Sequence, residues 1–170
     1  MLFQNFNLDL HNAAERGDVD KVKALLEGGM APNTRNVLGE TPLHKVRDHN
    51  AVAAALVAAG GDVNAQDQDG DTPLHRAATG GHKTVGEFLL GKGAEVNISG
   101  FRGLTPLHLA ALNHDGNPLA QILLEGGARA SARDDEGKTA LDRAIDKGHN
   151  QTVEVLKNAK RSFFQRLFGG

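Results

Sequence analysis

The chain has 170 residues, a net charge of −2 and no cysteine. That length suits one domain able to bury a real core. The balanced charge gives no pull toward nucleic acid, and the missing cysteines exclude disulfides, thiolate metal sites and a cysteine nucleophile.

Residues Met1 to Leu10 hold no basic run and no long apolar stretch, so neither a secretion signal nor a membrane span is expected. The cytoplasm is the expected compartment. The periplasm and secretion stay open, because a signal already removed leaves no trace and a cysteine-free chain survives in either. Seven Phe stand beside no Tyr and no Trp. An interior of Ala, Leu and Val explains the shortage, since closely stacked helices need small residues where they meet.

Four near-copies of one tetrapeptide organise the sequence: Thr41-Pro42-Leu43-His44, Thr72-Pro73-Leu74-His75, Thr105-Pro106-Leu107-His108 and the variant Thr139-Ala140-Leu141-Asp142. Their threonines are 31, 33 and 34 residues apart. A period near 33 means a stack of small units, each touching its neighbours.

In chain order, the first unit lacks Thr-Pro and offers Leu8-Asp9-Leu10-His11, then Ala13-Ala14 and Gly17-Asp18. The second is short: Leu43 to Val57 spans 14 positions against 16 from Leu74 to Leu90 in the third. The third unit is the clearest. Asp67-Gln68-Asp69-Gly70 reads as a turn, with Gly70 free to take positive φ. Thr72 caps a helix that starts at Pro73, where the missing N–H costs nothing. Leu74, Ala77 and Ala78 face inward, and Gly80-Gly81 ends the segment. A second helix follows from about Lys83, with Val85, Phe88, Leu89 and Leu90 inward and Gly93 as its stop. The fourth unit is one residue longer, Leu107 to Leu124 spanning 17. These length changes are expected in the connection between paired helices, and Asn113–Pro118 reads as a loop there. In the fifth unit Asp142 replaces His, and Lys157 stands where an inward Leu is expected.

The pattern resembles the ankyrin repeat. The match rests on Thr-Pro-Leu-His, on Gly81-His82 and Gly148-His149, on the Leu-Leu-x-x-Gly-Ala ending from Leu89 to Ala94, and on Val63-Asn64 and Val96-Asn97. The resemblance implies an all-α repeat solenoid of helix-turn-helix units joined by β-hairpin-like loops. It implies one domain over 1–170 with units at 3–35, 36–66, 67–99, 100–133 and 134–160, followed by a tail at 161–170. The first and last units are the atypical ones, as expected of stack ends that meet water.

No residue set reads as an enzyme. His11, His44, His75 and His108 recur at one position per unit, and neighbouring helices lie roughly 8–10 Å apart, so they do not converge on one ion. They are expected to hydrogen-bond backbone, as in the family. His49, His82, His114 and His149 form no helical ligand spacing. Asp67, Asp69 and Asp71 lack the downstream Gly and Glu of a calcium loop, and turn and capping duty accounts for them. The paired glycines end helices and cradle no phosphate. No cofactor and no metal are expected.

The resemblance places partners on the hairpin tips and inner helices. The tip positions are Val37, Leu38 and Glu40, then Gln68, Asp69 and Asp71, then Phe101, Arg102 and Leu104, then Asp135, Glu136 and Lys138. The inner-helix positions are Lys45 and Asp48, Arg76 and Thr79, Leu109 and Leu112, and Arg143 and Asp146. Val37, Leu38, Asp69, Asp71, Arg76, Phe101, Arg102, Leu104, Leu109, Leu112 and Arg143 are the candidate contacts. Phe101, Arg102, Leu104 and Leu112 combine the residue types that dominate interface hot spots.

The tail interleaves Lys157, Lys160, Arg161 and Arg166 with Phe163, Phe164, Leu167 and Phe168. It reads as a cap over the last unit, or as a short basic amphipathic helix for an anionic membrane. The whole reading is a non-catalytic protein-binding module, monomeric alone, whose sharpest version is an inhibitor or immunity-type protein. The alternative is a membrane-peripheral tether anchored by the tail.

Overall fold

The computed structural model describes residues 6–114 and 118–168, with side chains over 8–114 and 118–159. Among the described residues the regular structure is entirely helical. The helices are α1 (Phe6–Arg16), α2 (Val19–Glu27), α3 (Asn50–Ala58), α4 (Pro73–Gly80), α5 (Lys83–Gly91), α6 (Pro106–Asn113), α7 (Pro118–Glu125), α8 (Ala140–Lys147) and α9 (Asn150–Phe168). Two 3-10 turns, Pro42–Lys45 and Phe101–Gly103, complete the set.

The elements form two layers. An inner row runs α1, the Pro42–Lys45 turn, α4, α6, α8, and an outer row runs α2, α3, α5, α7, α9. Each element packs on its partner within a unit and on its counterpart in the next. A single core threads the whole stack through Leu10, Leu43, Leu74 and Leu107 of the inner row and Val22, Leu56, Leu89, Leu123 and Leu156 of the outer. Each such leucine contributes roughly 1.5–3 kcal/mol by leaving water, and only a neighbouring unit makes that burial possible.

Local sequence explains the helices. Thr72, Thr105 and Thr139 sit extended at the N-caps, and Pro73 and Pro106 hold the first helical positions. Gly81 and Gly148 close α4 and α8 in the left-handed conformation, at φ 68° and 71°.

The Thr-Pro-Leu-His histidine joins units as well as capping one. In the third unit Thr72 N–H donates to His75 Nδ1 at 3.0 Å, which leaves Nε2 to donate to Leu104 O of the fourth at 3.2 Å. His44 reaches Asp71 O at 3.0 Å and His108 reaches Lys138 O at 3.1 Å. His11 takes the same step to Glu40 O at 2.8 Å. A second series uses asparagine: Asn64 accepts from Glu95 N–H at 2.8 Å and donates to Gly93 O at 3.2 Å. Asn33 and Asn97 do likewise.

Two expectations need correction. The two residues missing from the second unit come out of its inner helix, not the connection. Pro42–Lys45 is one 3-10 turn, and Val46 is already extended at φ −69°, ψ 127°. Fewer residues must still reach the start of α3, and extended backbone rises about 3.3 Å per residue against 1.5 Å in a helix. Arg47 is consequently exposed where its counterpart in the third unit, Ala78, is buried. Glu40, placed on the tip surface by the repeat pattern, is buried. The expected loop at Asn113–Pro118 begins after α6 as read, but 115–117 lie outside the described residues.

At the far end, Lys157 is exposed while Val153 and Leu156 carry the burial of α9. Its counterpart Leu90 lies against Gly126 of the following unit. The side chains of the expected Phe-rich cap lie outside the described residues. The helix itself runs on through Phe168, and Ile145 at the end of the inner row is exposed.

Candidate partner-binding surface

Each hairpin tip is a turn closed by a backbone bond across four residues: Asn36 to Glu40, Asp67 to Asp71, Gly100 to Leu104 and Asp134 to Lys138, at 2.8–3.0 Å. In three of them the first residue locks the turn with its side chain. Asp67 Oδ1 accepts from Asp69 and Asp71 N–H at 2.9 and 3.0 Å. Asp134 Oδ1 accepts from Glu136 and Lys138 N–H at 2.9 and 3.1 Å, and Asn36 Oδ1 from Leu38 and Glu40 N–H. Such Asx turns hold the tip rigid.

The other carboxylate oxygen is also used. Asp67 Oδ2 takes Arg76 at 2.7 Å, and Asp134 Oδ2 takes Arg143 at 2.6 Å. These two arginines stand nine residues after their aspartates, on the inner helix. Burial works against the Asp134 charge, but the bonds from Arg143 and from two backbone N–H groups outweigh it and hold its carboxyl below the ordinary carboxylate range. Arg76 also approaches Glu40 at 3.5 Å, and Arg143 reaches Glu136 at 3.2 Å. The candidates Arg76 and Arg143 are therefore already committed inside the array.

The fourth tip differs. Gly100 stands where the aspartate should be, and Leu109 stands where the arginine should be. Without a side-chain lock the turn tightens into the Phe101–Gly103 3-10 segment, with Arg102 at φ 57°. Phe101 N–H, whose counterparts Gln68 and Asp135 donate to a carbonyl of the preceding tip, goes instead to Asp71 Oδ1 of the third tip at 3.1 Å. A side chain at position 100 would collide with that same oxygen. Arg102 pairs with Glu136 at 2.6 Å.

The apolar candidates are open. Phe101 is 54% exposed, Val37 88% and Leu38 56%. Leu104, Leu109 and Leu112 are half-buried beside them in the fourth unit. Leu104 also gives its carbonyl to His75. Asp69 is exposed and Asp71 half-buried. The structure thus gathers Asp71, Phe101, Arg102, Leu104, Leu109 and Leu112 at one tip and its inner helix. Val37 and Leu38 stand two units away, with Leu38 O accepting from Gln68 N–H of the intervening tip.

The Asp–Arg locks were missed in the sequence. The signal was present: the two positions nine apart change together, Asp67 with Arg76, Asp134 with Arg143, Asn36 with Lys45 and Gly100 with Leu109. Among the described residues, no group of three or more His, Asp or Glu is placed to hold a metal ion, and no helix is long and apolar enough to cross a membrane. The motif histidines are occupied as clamps. Burial holds His44, His75 and His108 below the ordinary histidine value, despite carbonyl acceptors that favour the proton.

Comparison with known proteins agrees with this architecture. Residues 10–100 and 98–163 match the family described as ankyrin repeats (3 copies). The chain belongs to the ankyrin-repeat family. It is similar to cyclin-dependent kinase 4 inhibitor B of Bos taurus, at 36% identity over 88% of this chain and 89% of that one. It is similar to the putative ankyrin repeat protein YahD of Escherichia coli, at 30% identity over 92% of this chain and 98% of that one. The likeness to the E3 ubiquitin-protein ligase KEG of Arabidopsis thaliana is local, at 39% identity over 41% of this chain and 4% of the ligase.

Proposed function

We propose that the chain is a non-catalytic protein-binding module that holds its partner on the hairpin tips and the inner-helix face. The observation that carries this reading is the exposure of Phe101, Val37 and Leu38 at tips closed by a backbone hydrogen bond of 2.8–3.0 Å. Aromatic and aliphatic anchors on a rigid frame lose little entropy on docking. The finer reading is inhibition, in which the docked array covers the partner's working surface. The end-to-end likeness to a protein named as a kinase inhibitor supports it.

The test is an affinity capture from native lysate with three forms of the chain: wild type, Phe101→Glu, and Val37→Glu/Leu38→Glu, each checked for helicity by circular dichroism. A partner lost from either variant is the expected result. A partner held equally by all three would move the interface off the tips and sink the reading. The inhibitory step is then read on the partner's own activity, with and without the chain.

A second reading, the membrane-peripheral tether, draws on α9. That helix has 19 residues against 8 or 9 in α2, α3, α5 and α7. Liposome flotation of the full chain against a form lacking 161–170 separates the two.

A further inference from the structure

The fourth unit has given up both members of its Asp–Arg lock at once, and the exchange makes its surface apolar. Leu109 occupies the position from which Arg76 and Arg143 reach across to the turn aspartates. Phe101 stands where the third and fifth tips carry Gln68 and Asp135. Leu112 follows Leu109 by three residues on the same face of α6. The fourth unit is therefore an apolar station between the polar tips of the third and fifth.

The charges around that station are unequal in a second way. Five cations of the tips and inner helices are committed: Lys45 to Glu40, Arg76 to Asp67, Arg102 to Glu136, Lys138 to Asp146 and Arg143 to Asp134. The acids are not. Among the described residues, Asp69 and Asp71 on one side and Asp135 on the other have no ion pair. Asp71 touches the Phe101 backbone, and Asp135 lies beneath Gly103. What approaches Phe101 meets apolar surface at the centre, beside the Glu136-paired Arg102, and carboxylates without an ion pair at both ends.

We infer that the fourth tip receives a positively charged segment of a partner protein, with an aromatic or aliphatic anchor set on Phe101, Leu109 and Leu112 and basic residues on either side meeting Asp69, Asp71 and Asp135. This rests on the protein-binding reading above and adds the chemistry of the partner. Neighbouring units pack roughly 8–10 Å apart, so the flanking tips are roughly 20 Å apart. An extended segment covers that distance in about six residues, and a helix in about thirteen. The basic residues thus lie about three positions from the anchor if the segment is extended, or about two turns away if it is helical.

The experiment is selection of a random 16-residue peptide library on the full chain, followed by affinity measurement of the enriched peptides on three variants. Asp69→Lys/Asp135→Lys reverses the flanking charge at side chains that make no hydrogen bond. Glu27→Lys/Glu95→Lys makes the same change in net charge on exposed residues away from the tips. Phe101→Glu removes the anchor site. Enriched peptides should carry net positive charge around an apolar anchor, weaken about tenfold on the first variant and hold on the second. Neutral or acidic winners, equal weakening on both charge variants, or no enrichment at all would overturn the inference. Neutral or acidic winners that are still lost on Phe101→Glu would overturn it while leaving the tip-binding reading standing.

Discussion

His75 and Asp142 hold the same position in their units, and truncating each to alanine should have very different consequences. His75 is fully buried and bridges two units. Alanine there strands Thr72 N–H away from water, at about 1–3 kcal/mol, removes the partner of the half-buried Leu104 C=O and leaves a cavity the size of an imidazole. The expected loss is about 3–5 kcal/mol. Asp142 is exposed and serves only its own turn, accepting from Thr139 N–H at 2.9 Å and Oγ1–H at 2.7 Å. Its removal should cost about 0.5–1 kcal/mol, the worth of an exposed cap. Urea unfolding at pH 7.4 measures both. It must be followed by far-ultraviolet circular dichroism, because the chain has no Trp or Tyr. Losses that agree within about 1 kcal/mol would refute the reasoning, since the bond to the next unit would then contribute nothing.

Acid should act on the same clamps. Burial holds His44, His75 and His108 below 6.5, so the unfolded chain takes up protons that the folded one refuses. Stability is then full above about pH 6.5 and falls as pH drops below it, and a flat urea midpoint between pH 7.5 and 5.5 would contradict this. A second decline, from Asp134 and Asp142, belongs below their ordinary value of 3.8. Asp134→Ala should cost about 2–4 kcal/mol, because it leaves Arg143 without its main partner and two turn N–H groups unmet. Asp135→Ala, one residue on, should stay within about 0.5 kcal/mol in the same unfolding assay. Gly86→Ala should lower the melting temperature: its new methyl would collide with Leu119, which is buried and cannot swing away. An overpacking cost of about 1–3 kcal/mol outweighs the roughly 1 kcal/mol gained in helix propensity, and a rise in melting temperature would show otherwise.

Much of the array was legible because its signals are local. Thr72 and Pro73 define a helix start whatever surrounds them, and the recurrence of Leu74 and Ala77 defines a buried face. The end substitutions were visible too, and the structure supplies their physics. A histidine is needed wherever one nitrogen accepts from its own turn while the other donates to the next unit. Asp142 acts as an acceptor alone, taking Thr139 N–H and Oγ1–H within its own turn. Other features depend on partners distant in sequence. A two-residue deletion between Leu43 and Val57 does not say which segment yields, and packing of α3 on α2 and α5 decides that the inner helix does. The burial of Glu40 depends likewise on Lys45 and on Arg76 of the next unit.

The candidate site illustrates how a repeat array separates stability from recognition. Positions that every unit fills alike, such as the motif leucine, serve the stack. Positions that change in a correlated pair within one unit mark where the shared solution has been set aside. At the fourth tip the side-chain lock is gone, a non-glycine residue sits at φ 57°, and the neighbouring Asp71 has been recruited to hold Phe101 N–H. Holding Arg102 there costs of order 1 kcal/mol or more, a loss the other described tips avoid with glycine alone at positive φ. Folding gains nothing from leaving Phe101 half exposed. A unit that accepts strain and exposes an aromatic, between two units that do neither, has the features that the contact proposed at this tip requires.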